Sequence, residues 1–340
     1  MSDLKINNIT DRTGSCGPVI AGVSTVSTTG AFTVPVGATE FRGGRGRGVI
    51  LAGGAPTQTK NCEFITIATT GNAQDFGDLS QARTSPGGCA SATRSFSMGG
   101  DVSPSGGTNT TLIEYVITSS SGGGNHFGDL TVGRRYPGGV SDSTRGMANG
   151  GTSPTPGVNT NIIDYFTMAS TGDASDFGDL MSQRTYLTGA GCQSPTRGFV
   201  AGGHMPAVTS LIEFYTIQSK GNSTQFGELR SGRSGLSAGS NTTRGIFAAG
   251  ATPSTINNIE YITMSTEGNA ADFGDLKAAG AYTGAGMYSA TRGVHAGGYP
   301  QVNTIQYLTI ASTGNTLDFG DLVEIRSSFA GSSDSHGGLG

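Results

Sequence analysis

Apolar residues in this chain come in short runs of about five to seven, rich in β-branched and aromatic types and bounded by Gly, Asn and Ser. No stretch sustains a 3.6-residue apolar period, so the pattern predicts strands and no substantial helix. In Ile163-Asp164-Tyr165-Phe166-Thr167-Met168 apolar groups occupy both faces. That predicts a strand packed between two neighbouring sheets, where a two-layer sandwich would usually leave one face wet. The runs also recur. Phe76-Gly77-Asp78-Leu79 is repeated from Phe127, Phe177, Phe226 (with Glu228 as the acid), Phe273 and Phe319, at spacings of 46 to 51 residues. Such a period marks a repeat architecture whose single units cannot bury their own apolar surface.

Each unit has the same anatomy. A Thr-Arg pair (Thr93-Arg94, Thr144-Arg145, Thr196-Arg197, Thr243-Arg244, Thr291-Arg292) leads into a run ending in paired glycines, as at 96–100 and 199–203. Ile-acid-aromatic follows, as in Ile113-Glu114-Tyr115 and Ile163-Asp164-Tyr165, with Cys62-Glu63-Phe64 and Ile305-Gln306-Tyr307 as variants. Then come a Thr/Ser-Gly turn, the Phe-Gly-Asp-Leu phrase, and usually an Arg four positions after its Leu: Arg83, Arg134, Arg184, Arg233 and Arg326. The aromatic precedes the Phe of the phrase by 12 positions in every unit. Four strands in roughly 50 residues predict a propeller blade. After Leu322 the chain continues through Phe329-Ala330-Gly331, which matches the opening strand of a unit, whereas the first unit, starting near Arg47, lacks one. The expected fold is therefore all-β: a six-bladed β-propeller over 45–340, with blade one completed by the C-terminal strand so that no sheet edge stays open. Residues 1–44 form a separate N-terminal extension.

The paired glycines, the aromatic early in the next strand and the period near 50 resemble kelch-type repeats, from Arg45 to about Gly338. The chain has no Trp, which kelch repeats usually carry in the last strand; the Phe of Phe-Gly-Asp-Leu is expected to take its packing role. The 58 glycines and 13% charged residues among 340 would suit a disordered chain, but strict periodicity assigns the glycines to turns and close contacts. Net charge is −4 with no basic patch beyond 42–47, so nucleic-acid binding is not expected. No run of 18 apolar residues occurs and Met1-Ser2-Asp3 opens no signal peptide, so neither membrane insertion nor classical secretion is expected.

Cys16, Cys62, Cys89 and Cys192 form no metal-spaced pair. Cys62 replaces Ile113 and Ile163 of sister units and is expected in the core. Cys89 and Cys192 are expected in equivalent loops of different blades, unbridged, in a chain made in a reducing cytoplasm. Sixteen arginines against four lysines point to structural use of the guanidinium fork, as ion pairs or bonds to carbonyls between blades. A rival reading is a carboxylate ring for calcium built from Asp75 with Asp78, Asp176 with Asp179, Asp272 with Asp275 and Asp318 with Asp321.

The spacing from paired glycines to the strand-three acid varies between 8 and 14. Variable loops on a rigid frame are where binding usually resides. They span 101–111, 152–161, 204–210, 251–258 and 299–304, and offer Asn109, Asn159, His204, Asn257, Tyr299 and Asn303 as ligand or partner contacts suited to sugar hydroxyls or protein backbone. Catalysis is not expected. His126, His204, His295 and His336 lie in different units without a convergent copper-ligand set and are expected to be solvated; neither a nucleophile elbow nor a phosphate loop is present. No catalytic residue, metal or cofactor is predicted.

In the extension, 19–26 and 31–36 predict two strands, too few to fold alone. The string Ile6-Asn7-Asn8-Ile9-Thr10-Asp11-Arg12-Thr13-Gly14, followed by Gly17-Pro18-Val19-Ile20-Ala21-Gly22-Val23, resembles the N-terminal segment of structural proteins from tailed phages of marine cyanobacteria, over about 40 residues. That resemblance implies a virion structural protein, tail-associated or on the capsid surface, made in the host cytoplasm and located in the particle. Its anchor would be Ile6, Asn8, Ile9, Asp11, Arg12, Val19 and Ile20. Its partners would be other virion proteins through 1–44 and a host-surface polysaccharide, with several copies per particle. The competing expectation is a cellular kelch-like binding module or, beyond that, a kelch-type oxidase.

Overall fold

The computed structural model describes residues 46–339, apart from 56, 104–106, 155–157, 190, 281–283 and 285. Contacts divide the chain into Met1–Arg45 and Gly46–Gly340. The two strands predicted in the extension and all seven anchor residues lie outside the described residues.

Residues 46–340 form a six-bladed propeller of four-stranded antiparallel sheets. Blade three shows the plan, from the axis outwards: Gly138–Ser141, Arg145–Thr152, Asn159–Thr167 and Ser175–Asp179. The innermost strands of the six blades touch in a closed cycle. Blade one is assembled from both ends of the domain. Its innermost strand is Ala330–Ser333, paired antiparallel with Arg47–Ala55 in the register Gly48↔Ser333 to Leu51↔Ala330. Thr57–Thr66 and Gln74–Arg83 complete the sheet.

The closure copies the turn that the other blades make covalently. In blade three, Asp142 Oδ1 accepts hydrogen bonds from the backbone N–H of Thr144 and Arg145, both at 2.7 Å. Ser91, Ser194, Asn241 and Ser289 do the same in their blades. In blade one the acceptor is Asp334, and the donors are Gly46 N at 2.7 Å and Arg47 N at 3.0 Å. The Asp thus caps a turn whose chain is cut.

The repeated phrases become interlocking parts. Each Phe of the phrase packs edge-on against the strand-three aromatic of its own blade, from Phe214–Phe226 at 5.8 Å to Tyr307–Phe319 at 6.1 Å between ring centres. The invariant offset of 12 residues is the length of the hairpin that brings those two rings together. The glycine after each Phe sits under the next blade. Gly77 has φ +133°, and a Cβ there would lie 2.6 Å from Gly122 O, so only glycine lets the neighbouring turn approach. That turn then bonds across, Gly122 N to Phe76 O and Gly172 N to Phe127 O, and so on round to Gly71 N to Phe319 O.

The Thr-Arg arginines staple the ring from the side. Each lies over its own strand-three aromatic, at 4.4 Å from guanidinium carbon to ring centre for Arg292–Tyr307 and 5.0 Å for Arg197–Phe214. Each also donates to carbonyls of the following blade. Arg94 bonds Met168 O at 2.8 Å, Arg244 bonds Ile310 O at 2.8 Å, and Arg292 crosses the closure to Ile67 O at 3.0 Å. Arg47 occupies the same place in blade one, on Phe64 and Thr118 O.

Two sequence expectations are corrected. Cys89 and Cys192 stand in the innermost strands Gly87–Ala90 and Gly191–Gln193, buried and free. Glycine-rich strands of only three or four residues carry almost no strand signal, so the sequence reads as loop there. The segment at 251–258 is a tight hairpin, Ala251–Thr252 against Ser254–Thr255, and 204–208 is another, His204–Met205 against Ala207–Val208. These variable segments extend the blades as strand rather than as irregular loops. Cys62 is fully buried, as expected.

Candidate functional site

The second set of arginines, four positions after each Leu, is wholly buried. Each reaches into the following blade and meets the acid of its Ile-acid-aromatic. The pairs are Arg83–Glu114, Arg134–Asp164 at 2.8 Å, Arg184–Glu213 at 2.7 Å, Arg233–Glu260 at 3.1 Å and Arg326–Glu63 at 2.8 Å. The partner is therefore not the acid of Phe-Gly-Asp-Leu. At Arg184 and Arg233 the closest approach is an ion-pair contact whose angles fall outside hydrogen-bond geometry, and the Nε of all five arginines has no hydrogen-bond partner. Burial pushes the Arg83 guanidinium down to about 10 and raises the Glu63 carboxyl. Each fork also bonds carbonyls of the next blade, as Arg83 does to Gly99 O and Leu112 O, Arg184 to Gly202 O and Leu211 O, and Arg134 to Ala148 O.

The interface between blades five and six breaks this rule on both sides. Four positions after Leu276 stands Gly280, and the strand-three acid is Gln306. The register is unchanged: Ile256 pairs with Gly280 as Thr59 pairs with Arg83 and Val302 with Arg326. Gly280 O even accepts from Gly250 N at 2.8 Å, just as Arg134 O accepts from Gly100 N at 2.9 Å. Only the side chain is missing. A Cβ built on Gly280 would meet nothing within 4 Å.

That space is a cavity of about 490 Å³, lined on the blade-five side by Leu276, Lys277, Ala278, Ala279 and Gly280 and on the blade-six side by residues including His295, Gly297, Pro300, Thr304 and Gln306. It is amphipathic. Gln306 keeps the acceptor role of the acids it replaces: its Oε1 takes Lys277 N–H at 2.8 Å and Thr316 Oγ1 at 2.8 Å. The amide NH2 is the end these bonds leave over. His295, Gly297 and Thr304 stand where Ala148, Gly99 and Leu112 offer carbonyls to an arginine elsewhere. The His295 ring is fixed from both nitrogens, Nε2 against Tyr288 Oη and Nδ1 against Ser237 Oγ, each at 2.8 Å. Burial lowers its pKa to about 4, so it stays neutral at ordinary pH.

Among the described residues, the axis of the ring offers far less room. The space among the innermost strands is about 20 Å³, enough for a single water. His336 closes it: Nε2 lies 2.8 Å from Ala90 O and 3.2 Å from Ser141 Oγ, and Nδ1 2.9 Å from Gln193 Nε2. The expectation of solvated histidines thus fails at His295 and His336, both buried; tertiary packing recruited them as hydrogen-bonding core residues.

The six loop residues predicted as contacts belong to strand-two to strand-three segments, which strand alternation places on one face together with the blade-to-blade connections. They do not converge on one cleft. Asn109 Nδ2 donates to Thr152 O of blade three at 2.8 Å, and Asn257 Nδ2 to Leu276 O at 3.3 Å. Asn159 Oδ1 accepts from Thr152 Oγ1 at 3.4 Å. His204 packs edge-on to Tyr186. Tyr299, 52% exposed, and half-buried Asn303 flank cavity residues Pro300, Val302 and Thr304. The cavity itself escaped the sequence reading, although both its signals were visible: the arginine missing after Leu276 and the Gln in Ile305-Gln306-Tyr307.

Among the described residues no group of three or more His, Cys, Asp or Glu could hold a metal ion. At the acid of the Phe-Gly-Asp-Leu phrase the backbone N–H donates to a side chain of the next blade, Asp173 for Asp129, Asn222 for Asp179 and Asn72 for Asp321. Several of the carboxylates pair within their own blade, Asp129 with Thr111 Oγ1 at 2.6 Å and Asp78 with Lys60 at 3.1 Å. No described helix is long and apolar enough to cross a membrane. Comparison of the chain with protein-family models and with curated proteins finds no match.

Proposed function

We propose that this chain is a virion structural protein whose propeller is a non-enzymatic binding module, held to the particle by residues 1–44 and presenting one face to a partner. A propeller suits an interaction module, since a rigid ring displays loops with little ordering cost on binding. The observation that carries the reading is the one-sided placement of the segments that differ most in length and form between blades. The unequal strand-two to strand-three segments, the extra hairpin at His204–Met205 and the cavity between blades five and six share one face; the opposite face carries the same capped turn in every blade, continuous in five and cut at the closure of blade one. Binding surfaces vary where scaffolds repeat.

The virion setting rests on the resemblance of 6–14 and 17–23 to the leaders of cyanobacterial phage structural proteins, and the kelch-like relationship on the paired glycines and strand-three aromatics. Under this reading the partners are neighbouring virion proteins through 1–44 and host-surface polysaccharide through the ring, with several copies per particle and synthesis in the host cytoplasm. Deleting 1–42 tests it. The truncated protein should be a folded propeller that no longer enters particles when the parent phage is reconstituted. Undiminished incorporation would remove the anchor, and with it the virion reading in favour of a free binding module.

A further inference from the structure

We propose that the cavity between blades five and six is a binding site for a neutral carbohydrate, created by removal of the arginine and carboxylate that plug the equivalent position in the other five interfaces. The inference rests on the binding-module reading above and names its ligand class and subsite.

Three observations carry it. First, both charges of the pair are gone together, Arg to Gly280 and acid to Gln306, while backbone register and the bond from Gly250 N to Gly280 O are retained. The interface has not closed over the missing side chain, since a Cβ on Gly280 meets open space. Second, the polar lining asks for a ligand that both donates and accepts. The carbonyls of His295, Gly297 and Thr304 stand where a guanidinium would donate, and the Gln306 amide, its Oε1 occupied by Lys277 N and Thr316 Oγ1, has NH2 to give. A hydroxyl does both from one atom. A cationic side chain is disfavoured, because Gln306 supplies no charge to offset its desolvation. Third, Leu276, Ala278, Pro300 and Val302 give the cavity apolar wall for the C–H faces of a sugar ring, and about 490 Å³ falls within the range of small-ligand sites. Lys277 and Asp318 lie at the mouth, exposed and 3.9 Å apart.

The test rebuilds the missing plug. Gly280→Arg combined with Gln306→Glu installs the pair used at the other five interfaces, on a backbone that already accommodates it. The full-length protein and this variant are presented to an array of neutral oligosaccharides built from hexoses and N-acetylhexosamines, with arginine-bearing peptides as a parallel arm, and melting temperatures are measured alongside. The expected result is sugar binding by the native protein, at least about tenfold weaker in the double variant, with an unchanged or raised melting temperature. Gly280→Leu, which fills the space without charge, should give the same loss and serves if the double variant folds poorly. Sugar binding that survives both substitutions overturns the inference but leaves a glycan-binding module, with its site elsewhere. Peptide binding without sugar binding overturns it in favour of a protein partner. Silence in both arms overturns it too, while incorporation into particles still decides the virion reading separately.

Discussion

Five interfaces of this ring are locked by a buried arginine and one is open, although the backbone at all six follows one register. The comparison shows how little the closed pairs need to contribute for the ring to stand. Each buries two charges at a large desolvation cost and leaves an Nε–H without a partner, a balance in which a buried ion pair adds little net stability over neutral replacement of both members. Losing both partners at once, as between blades five and six, is therefore mild, and it leaves a cavity. Losing one is not. The pair acts as a register pin whose members depend on each other, and the open interface survives because Gln306 still caps Lys277 N–H, as Glu114 caps Ser80 N–H and Glu63 caps Val323 N–H.

The largest effect expected is on closure, where the interfaces of blade one depend on a strand from the other end of the chain. Truncation after Phe329 removes Ala330–Ser333 and the Asp334 cap, exposing a strand edge and the apolar faces of blades one and six. The protein should fail to give a cooperative thermal transition and should aggregate; a monomer melting like the native one would show that the ring does not need its last strand. Next comes half of a locked pair. Arg184→Leu leaves Glu213 charged and buried, and urea denaturation should show a loss of about 3–5 kcal/mol. Arg184→Gly with Glu213→Gln, which copies the open interface, should cost clearly less than Arg184→Leu. If the double replacement costs as much as the single, the mutual dependence of the pair is wrong.

The open interface should also carry its own pH dependence. His295 has a folded pKa of about 4, below its unfolded value near 6.5. Between those values the unfolded chain binds the extra proton, so stability from this residue is complete above pH 6.5 and declines as pH falls towards 4, by up to about 3 kcal/mol. Comparing denaturation midpoints of native protein and His295→Gln across that range should show a shallower acid limb in the variant. The smallest effect belongs to the cap of the cut turn. Asp334→Ala removes the acceptor for Gly46 and Arg47 N–H, and a loss of about 1–3 kcal/mol is expected from denaturation. Asp142→Ala, in a turn whose chain is continuous, should cost less, because there the backbone already holds the strands together.

Much of this was legible along the chain. The fold followed from period alone, since Phe-Gly-Asp-Leu six times over in short β-branched runs leaves few architectures. The missing opening strand of unit one and the surplus Phe329-Ala330-Gly331 told how the ring closes. The arginine excess announced interblade bonding but not its partner, because the acid that meets Arg184 is 29 positions away in another blade, and only twist and stacking choose it over nearer carboxylates. The loop asparagines drew attention for their chemistry, whereas Asn109 and Asn257 spend it on neighbouring carbonyls.

The order of residues dictated the unit, the number of units and the means of closure, because these depend on local periodicity and on whether each strand finds a partner. Which groups face each other across blade boundaries was decided in three dimensions. Gly280 and Gln306 look like two unrelated substitutions until the last strand of blade five lies against the third strand of blade six. There a missing guanidinium and a missing carboxylate become one unplugged space.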